Sequence, residues 1–393
     1  MSWKVPLADL DYGPEEDAAV LDVLHSKWLT MGAVTQRFEA GFAALTGAKH
    51  AISVSNATAA LHLACRALGI GPGDEVIVPS LTFVATANAV LYTGAEVRFA
   101  DVIGPDDLTL APDAIQAAIT PRTRAIIVMH YGGYPCRMPE ILALAERHSL
   151  AVIEDAAHAP GASLDGRALG TWGAIGCFSF FSNKNLSTGE GGMLTTDRDD
   201  LAEKLRLMRS HGMTSLTWDR HRGHAYTYDV VELGYNDRLD EIRAALGLVQ
   251  LARLADNNAR RAALTRRYWG ELAPLGVGLP FRERWASSPP FAPGGGPALD
   301  GRSGRPACHI FPILLPEGVD RLAFIDRMRA AGVQTSIHYP PVHTFTYYRQ
   351  RYGALDLPHT DALAARQVTL PLYPQMCGEQ LELVLAAVKT SLP

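Results

Sequence analysis

The residues with most chemical promise are a lysine, an aspartate and a histidine set among glycines and small side chains. Lys184 stands in Phe178-Ser179-Phe180-Phe181-Ser182-Asn183-Lys184-Asn185, and Thr188-Gly189-Glu190-Gly191-Gly192 follows. An amine in apolar surroundings loses part of its preference for the charged form, and a neutral lysine attacks carbonyl carbons. Most lysines are solvated surface groups, but FSFF and TGEGG on either side set this one apart. Asp155 and His158 lie in Glu154-Asp155-Ala156-Ala157-His158, directly after an apolar run. A carboxylate there can bind a protonated ring nitrogen and keep it protonated, because opposite charges favour the charged form of both partners. Taken alone, Asp155 is equally a structural cap, and His158 a neutral hydrogen-bonding residue.

Two further segments have the same character. Ser55-Asn56-Ala57-Thr58-Ala59-Ala60 turns from a strand into a helix. Small residues let the backbone N–H groups and the Thr58 hydroxyl approach a phosphate at the positive end of the helix dipole. A plain helix cap is the alternative for Thr58. Phe83, in Ser80-Leu81-Thr82-Phe83, offers a ring either to stack on a flat cofactor or to pack in the core.

Groups so spaced need a scaffold that brings several strand ends together. From about residue 50 to 197, strands at HAISVS, DEVIVPS, EVRFAD, RAIIVMH and AVIEDAA alternate with helices at ATAALHLACRALG, TFVATANAVLYTG, PDAIQAAIT and PEILALAERHS. GCFSFF and GGMLTT add two strands around SNKNLSTGE, and DRDDLAEKLRLMRSHG adds a long helix. This rhythm predicts an α/β fold with a mostly parallel sheet sandwiched by helices, its ligands gathering beyond the C-terminal strand ends. A large domain is expected over residues 1–250 and a smaller α+β C-terminal domain over 251–393. The latter should hold strands at HIFPILL and QTSIHYPP and helices at DRLAFIDRMRAAG and GEQLELVLAAVKTSL. Residues 282–306, dense in Pro and Gly, read as an exposed loop lying over the substrate entrance.

Composition narrows the partners. At 393 residues, 48% apolar and 20% charged, the chain can bury a sizeable core and exceeds one ordinary domain. A net charge of -5 provides no basic face for nucleic acid. Cys65, Cys136, Cys177, Cys308 and Cys377 are odd in number and lack a CxxC pair. They read as buried thiols in a reducing compartment, with neither metal site nor disulfide indicated. MSWKVPLADLDYG lacks the basic end and apolar core of a signal peptide, and no apolar run is long enough to span a bilayer. A cytoplasmic location without a membrane partner is therefore expected. No GxGxxG follows a strand, which argues against a nicotinamide-dinucleotide enzyme.

SNATAALHLA, PSLTFVATANAV, EDAAHAPGA, FSFFSNKNLSTGEGG and ELGYNDRLDEIRAALG occur in the order found in the DegT/StrS family of sugar-nucleotide aminotransferases. The chain resembles that family from WLTMG near residue 28 to LPLYP near 370. The resemblance implies the fold-type I, aspartate-aminotransferase-like architecture and pyridoxal 5′-phosphate (PLP) as cofactor. Carried over residue by residue, it makes Lys184 the Schiff-base lysine and Asp155 the partner of the pyridine nitrogen. It sets Phe83 against the ring face and His158 near the ring oxygen. Ser179 and the Ala57–Thr58 turn would hold the phosphate, and Asn236 would reach it from the neighbouring subunit, implying a homodimer. Ala57 stands where the family usually has Gly, and the 282–306 segment is an addition to the family pattern.

The substrates so implied are L-glutamate and a nucleoside-diphosphate 4-keto-6-deoxyhexose. WLTMGAVTQRFE, with Thr30 and Met31, and SIHYPPVHTFTYYR would line the sugar and diphosphate, with Arg238, His338 and His343 as candidate anion contacts. His at 158, TGEGG and the WLTxG start are similar to relatives that aminate C4, whereas C3-aminating relatives more often have Gln at that place. Amination at C3, amination of a keto-cyclitol, and a non-catalytic PLP-binding regulator stay open. A dehydratase branch of the family replaces the lysine by histidine, and Lys184 stands against it.

Overall fold

A computed structural model describes residues 3–214, 227–287 and 303–393. Its centre is a seven-stranded sheet built from His50–Val54 (β1), Glu75–Pro79 (β2), Glu96–Ala100 (β3), Thr123–Met129 (β4), Ala151–Asp155 (β5), Ile175–Ser179 (β6) and Gly192–Thr196 (β7). The order across the sheet is β1-β7-β6-β5-β4-β2-β3. β7 runs antiparallel to both neighbours, and the other adjacent pairs are parallel. All seven strands expected from the sequence are therefore members of one sheet.

The strands read as continuous apolar runs because both sheet faces are covered. Ile126 and Val128 of β4 enter one buried cluster, while Ala125 and Ile127 enter the other. Helices at Ala57–Ala67 and Ala85–Leu91 pack on the second cluster, and Met138–Arg147 on the first. Met138–Arg147 buries Met138, Ile141, Leu144 and Ala145, a spacing that keeps one helical face on the sheet. Behind β6, Phe42 and Phe178 lie 4.8 Å apart between ring centres and Phe38 and Phe180 5.3 Å, so the strand leading to Lys184 rests on an aromatic bed.

The C-terminal part pairs Phe311–Leu314 (β8) antiparallel with Gln367–Leu370 (β9) and adds helices at Arg321–Ala330 and Gly378–Ser391. One helix, Glu241–Leu272, runs unbroken past residue 250 and ties the two parts together. Its buried Arg261 donates to the carbonyls of His309 and Leu372.

Three expectations are corrected. QTSIHYPP forms no strand: only Ser336 pairs, with Thr369, because Pro340 and Pro341 have no N–H to extend a ladder. The partner of β8 is Gln367–Leu370 instead. The 282–306 segment is structured at both ends, with a short helix at Arg282–Trp285 that buries the Trp285 indole, and a Gly304–Arg305 strand paired with Ser163–Leu164. Its middle, 288–302, lies outside the described residues. Cys65, Cys136, Cys177 and Cys308 are buried free thiols, but Cys377, at the start of the last helix, is exposed. Among the described residues no helix is long and apolar enough to cross a membrane.

Candidate active site

The C-terminal ends of β1, β2, β4, β5 and β6 face one cleft of about 710 Å³. Ala57, Thr58, Phe83, Asp155, His158, Ser179, Lys184 and His338 all line it. Residues separated by more than a hundred positions converge because parallel strands deliver their following loops to the same edge.

The β1 end forms an anion cradle. Asn56 caps the helix Ala57–Ala67 by accepting the Ala59 N–H at 2.8 Å, and the Ala60 N–H bonds the Asn56 carbonyl. The N–H groups of Ala57 and Thr58 have no partner among the described residues, so two donors at the positive helix end stay open to the cleft. Ser179 Oγ accepts the Phe181 N–H at 3.4 Å and keeps its own proton to give. Gly192 lets β7 pass beneath the turn, since a Cβ there would fall 2.7 Å from the Asn56 carbonyl carbon.

The two acids of β5 point to opposite sides, as alternation along a strand requires. Glu154 is buried and accepts the N–H groups of Gly170 and Gly173, each at 2.7 Å, and meets His130 Nε2 at 2.9 Å. Its role is to brace the strand. Asp155 faces the cleft, with Oδ2 held by the Thr86 hydroxyl at 2.7 Å and Oδ1 by the Ala157 N–H at 3.2 Å. Thr86 in turn meets Thr82 at 2.8 Å. Burial pushes the Asp155 pKa up, while Thr86, Ala157, Lys184 and His130 all pull it back. A cation bound in the cleft would therefore be welcomed electrostatically.

Lys184 sits half-buried after β6. Burial pulls its pKa down to about 8, against an upward pull from Asp155. An amine poised there is partly neutral near physiological pH, as attack on a carbonyl requires. Phe83 is 56% exposed at the rim, which rules out plain core packing and leaves its ring free for a flat group. His338 is buried, with Nδ1 2.9 Å from the Thr369 hydroxyl, and burial lowers its pKa to about 4. It is a neutral ring in the cleft wall rather than a cation for an anion to bind.

Five expected residues lie outside this cleft. Thr30 is exposed and Met31 buried just before the helix Ala33–Thr46, and Arg238 is half-buried nearer Arg209. Asn236 is exposed and bridges to Ser210. His343 is buried, with Nδ1 2.7 Å from the Ser80 hydroxyl and Nε2 3.3 Å from Asp361, so it ties the β2 exit to the C-terminal part. Conversely, Tyr339, Arg243, Glu190 and Asn183 line the cleft without having been singled out. Tyr339 belongs to the SIHYPP segment, where the neighbouring histidine drew attention first.

Comparison with known proteins identifies relatives that match almost the whole chain. The sequence profile of the DegT/DnrJ/EryC1/StrS aminotransferase family matches residues 11–389. The chain is 41% identical over 385 residues to the spore coat polysaccharide biosynthesis protein SpsC of Bacillus subtilis (strain 168), covering 96% of this chain and 94% of that protein. Among solved structures it is similar to S. venezuelae DesV in complex with a ketimine intermediate, at 36% identity and a TM-score of 0.86, covering 99% of this chain and 98% of that one. It is also similar to the PLP-form of Spr1654 from Streptococcus pneumoniae, at 26% identity and a TM-score of 0.87, covering 98% of each chain.

Proposed function

We propose that this chain, which belongs to the DegT/DnrJ/EryC1/StrS aminotransferase family, is a PLP-dependent enzyme that moves an amino group from L-glutamate to C4 of a nucleoside-diphosphate keto-deoxysugar. The carrying observation is one cleft that joins a lysine of lowered pKa, a buried carboxylate and two unspent helix N–H donors. Those groups match the aldehyde, ring nitrogen and phosphate of PLP. The PLP-form of Spr1654 supports the cofactor, and the part SpsC takes in polysaccharide biosynthesis supports a sugar as acceptor. His158 and TGEGG, which the family resemblance associates with amination at C4, support the position.

Bound PLP supplies an electron sink that makes the carbon carrying the amino group acidic. The chain's residues do the rest. Lys184 Nζ would hold the cofactor between turnovers and, once freed by the donor amine, would take the proton from the donor carbon and deliver it to the cofactor carbon on the far side of the shared nitrogen. The Asp155 carboxylate keeps the ring nitrogen protonated. The Ala57 and Thr58 N–H groups, with the Thr58 and Ser179 hydroxyls, anchor the phosphate. Donor and acceptor use one cleft in turn, so ping-pong kinetics follow.

The test is to supply L-glutamate with dTDP- and UDP-linked 4-keto and 3-keto deoxysugars and locate the new amine by NMR. A C4 amine is expected. A C3 amine, or turnover only with a keto-cyclitol, would overturn the acceptor assignment. No turnover with any donor and acceptor would favour a regulator that keeps PLP without catalysis.

A further inference from the structure

His158 has no hydrogen-bonding capacity to spare. Its Nδ1 accepts the backbone N–H of Gly132 at 3.2 Å, so that nitrogen carries no proton. Burial, with Lys184 and His338 close by, holds its pKa well below the ordinary value, and the ring is neutral. A neutral imidazole whose Nδ1 accepts must carry its proton on Nε2. Nε2 lies 2.8 Å from Tyr339 Oη, so Nε2–H donates to the tyrosine. This fixes the direction of the pair: Oη accepts from His158, and its own proton must go elsewhere. Among the described residues Oη makes no other hydrogen bond, and Tyr339 lines the cleft. Burial, reinforced by Asp155, pushes the phenol pKa upward, so the hydroxyl stays a donor.

We propose that Tyr339 is a further residue of the site, its hydroxyl aimed by His158 to donate a hydrogen bond to the anionic ring oxygen of the cofactor. This rests on the PLP reading above. His158 is then a positioning residue: the resemblance sets it near the ring oxygen, but both of its nitrogens are committed, so it acts through Tyr339. An N–H donated into Oη also polarises the O–H and makes it a stronger donor. The Tyr339 ring is held beside Phe83, with centroids 5.9 Å apart, so the hydroxyl and the stacking ring are set as one unit.

The readout is the absorption of the PLP-loaded protein against pH. Titratable groups around Tyr339 come from every adjoining element: Asp155 at the end of β5 and His158 beyond it, Tyr131 after β4, Lys184 after β6, His309 behind His158, and His338 beside Tyr339. A donor to the ring oxygen favours its anionic form and weakens its hold on the proton of the Lys184 linkage, so it lowers the pH of colour change. Tyr339→Phe should therefore raise that midpoint by about one unit, the scale of one charge-assisted hydrogen bond. His158→Asn should raise it by less. The double variant should match Tyr339→Phe alone, because a residue acting only through the hydroxyl adds nothing once it is gone. An unchanged midpoint in Tyr339→Phe, or a His158→Asn shift that adds to it, overturns the proposal.

If the wild-type chain bound no PLP, the cofactor reading would fail while the pair itself stayed testable in the unloaded protein. Nitrogen NMR of labelled histidine should then find His158 protonated at Nε2, with that signal moved by Tyr339→Phe. A proton on Nδ1 would overturn the pair.

Discussion

In the proposed function Lys184 is the residue on which the chemistry turns, and its environment gives a signed pH prediction. Its folded-state pKa of about 8 lies below the ordinary 10.5 because burial disfavours the ammonium. Between those values the unfolded chain holds more protons, so the unloaded protein gains stability as pH rises through that window. PLP loading, followed by borohydride trapping, should accelerate with a midpoint near pH 8. Asp155 raises the lysine pKa, so Asp155→Asn should move that midpoint lower, and a midpoint that rises would contradict the assignment. That Lys184 and Asp155 would meet at one strand-end cleft was legible in the sequence, because each sits in a short segment directly after an apolar strand. Thr86 and Tyr339 were not, since their bonds to Asp155 and His158 span 69 and 181 positions and a hydroxyl leaves no local pattern. His343 misled for the converse reason: a histidine near the substrate segments turns out to brace Ser80 and Asp361.

At the scale of elements, a single buried carboxylate registers two helices. Glu241, in the first turn of the helix Glu241–Leu272, accepts the N–H groups of Gly32, Val34 and Thr35 at 2.8–2.9 Å and the Thr35 hydroxyl at 2.6 Å. It thereby also caps the helix Ala33–Thr46, whose own N-cap, Gly32, has no side chain to do so. Two positive helix ends share one negative charge. Glu241→Gln should lower stability by about 2–4 kcal/mol, the loss of several charge-assisted bonds and a new clash of donors. Chemical denaturation would check this, and a change under about 0.5 kcal/mol would show the contact to be incidental. The sheet strands were legible because full burial makes them unbroken Val/Ile runs. The exposed-loop reading of 282–306 erred at its ends because Pro and Gly density says nothing of where Trp285 finds a cavity to fill.

For the whole molecule, the order of strand and helix segments foretold the mostly parallel sheet and the cleft at its edge. Asn236 is exposed outside this chain's own cleft, and Val230, Val231 and Leu233 just before it are 56%, 57% and 69% exposed. We propose a homodimer in which Asn236 completes the partner's phosphate site. A mass of twice 42.5 kDa in sedimentation is expected. Lys184→Ala and Asn236→Asp chains, each nearly inactive alone, should on mixing recover about a quarter of wild-type activity through hybrid dimers. No recovery on mixing, with exchange of subunits verified, would place Asn236 outside the partner's site. The central claim is that Lys184 anchors PLP in this cleft and that L-glutamate donates its nitrogen there. The most direct measurement is the visible spectrum of the PLP-loaded protein before and after L-glutamate, repeated with Lys184→Ala. The wild-type band should bleach with one equivalent of 2-oxoglutarate released per site, and the variant should show neither the lysine-linked band nor its recovery on adding a keto acid. A band in the variant indistinguishable from wild type, or a wild-type band indifferent to glutamate, would contradict the account.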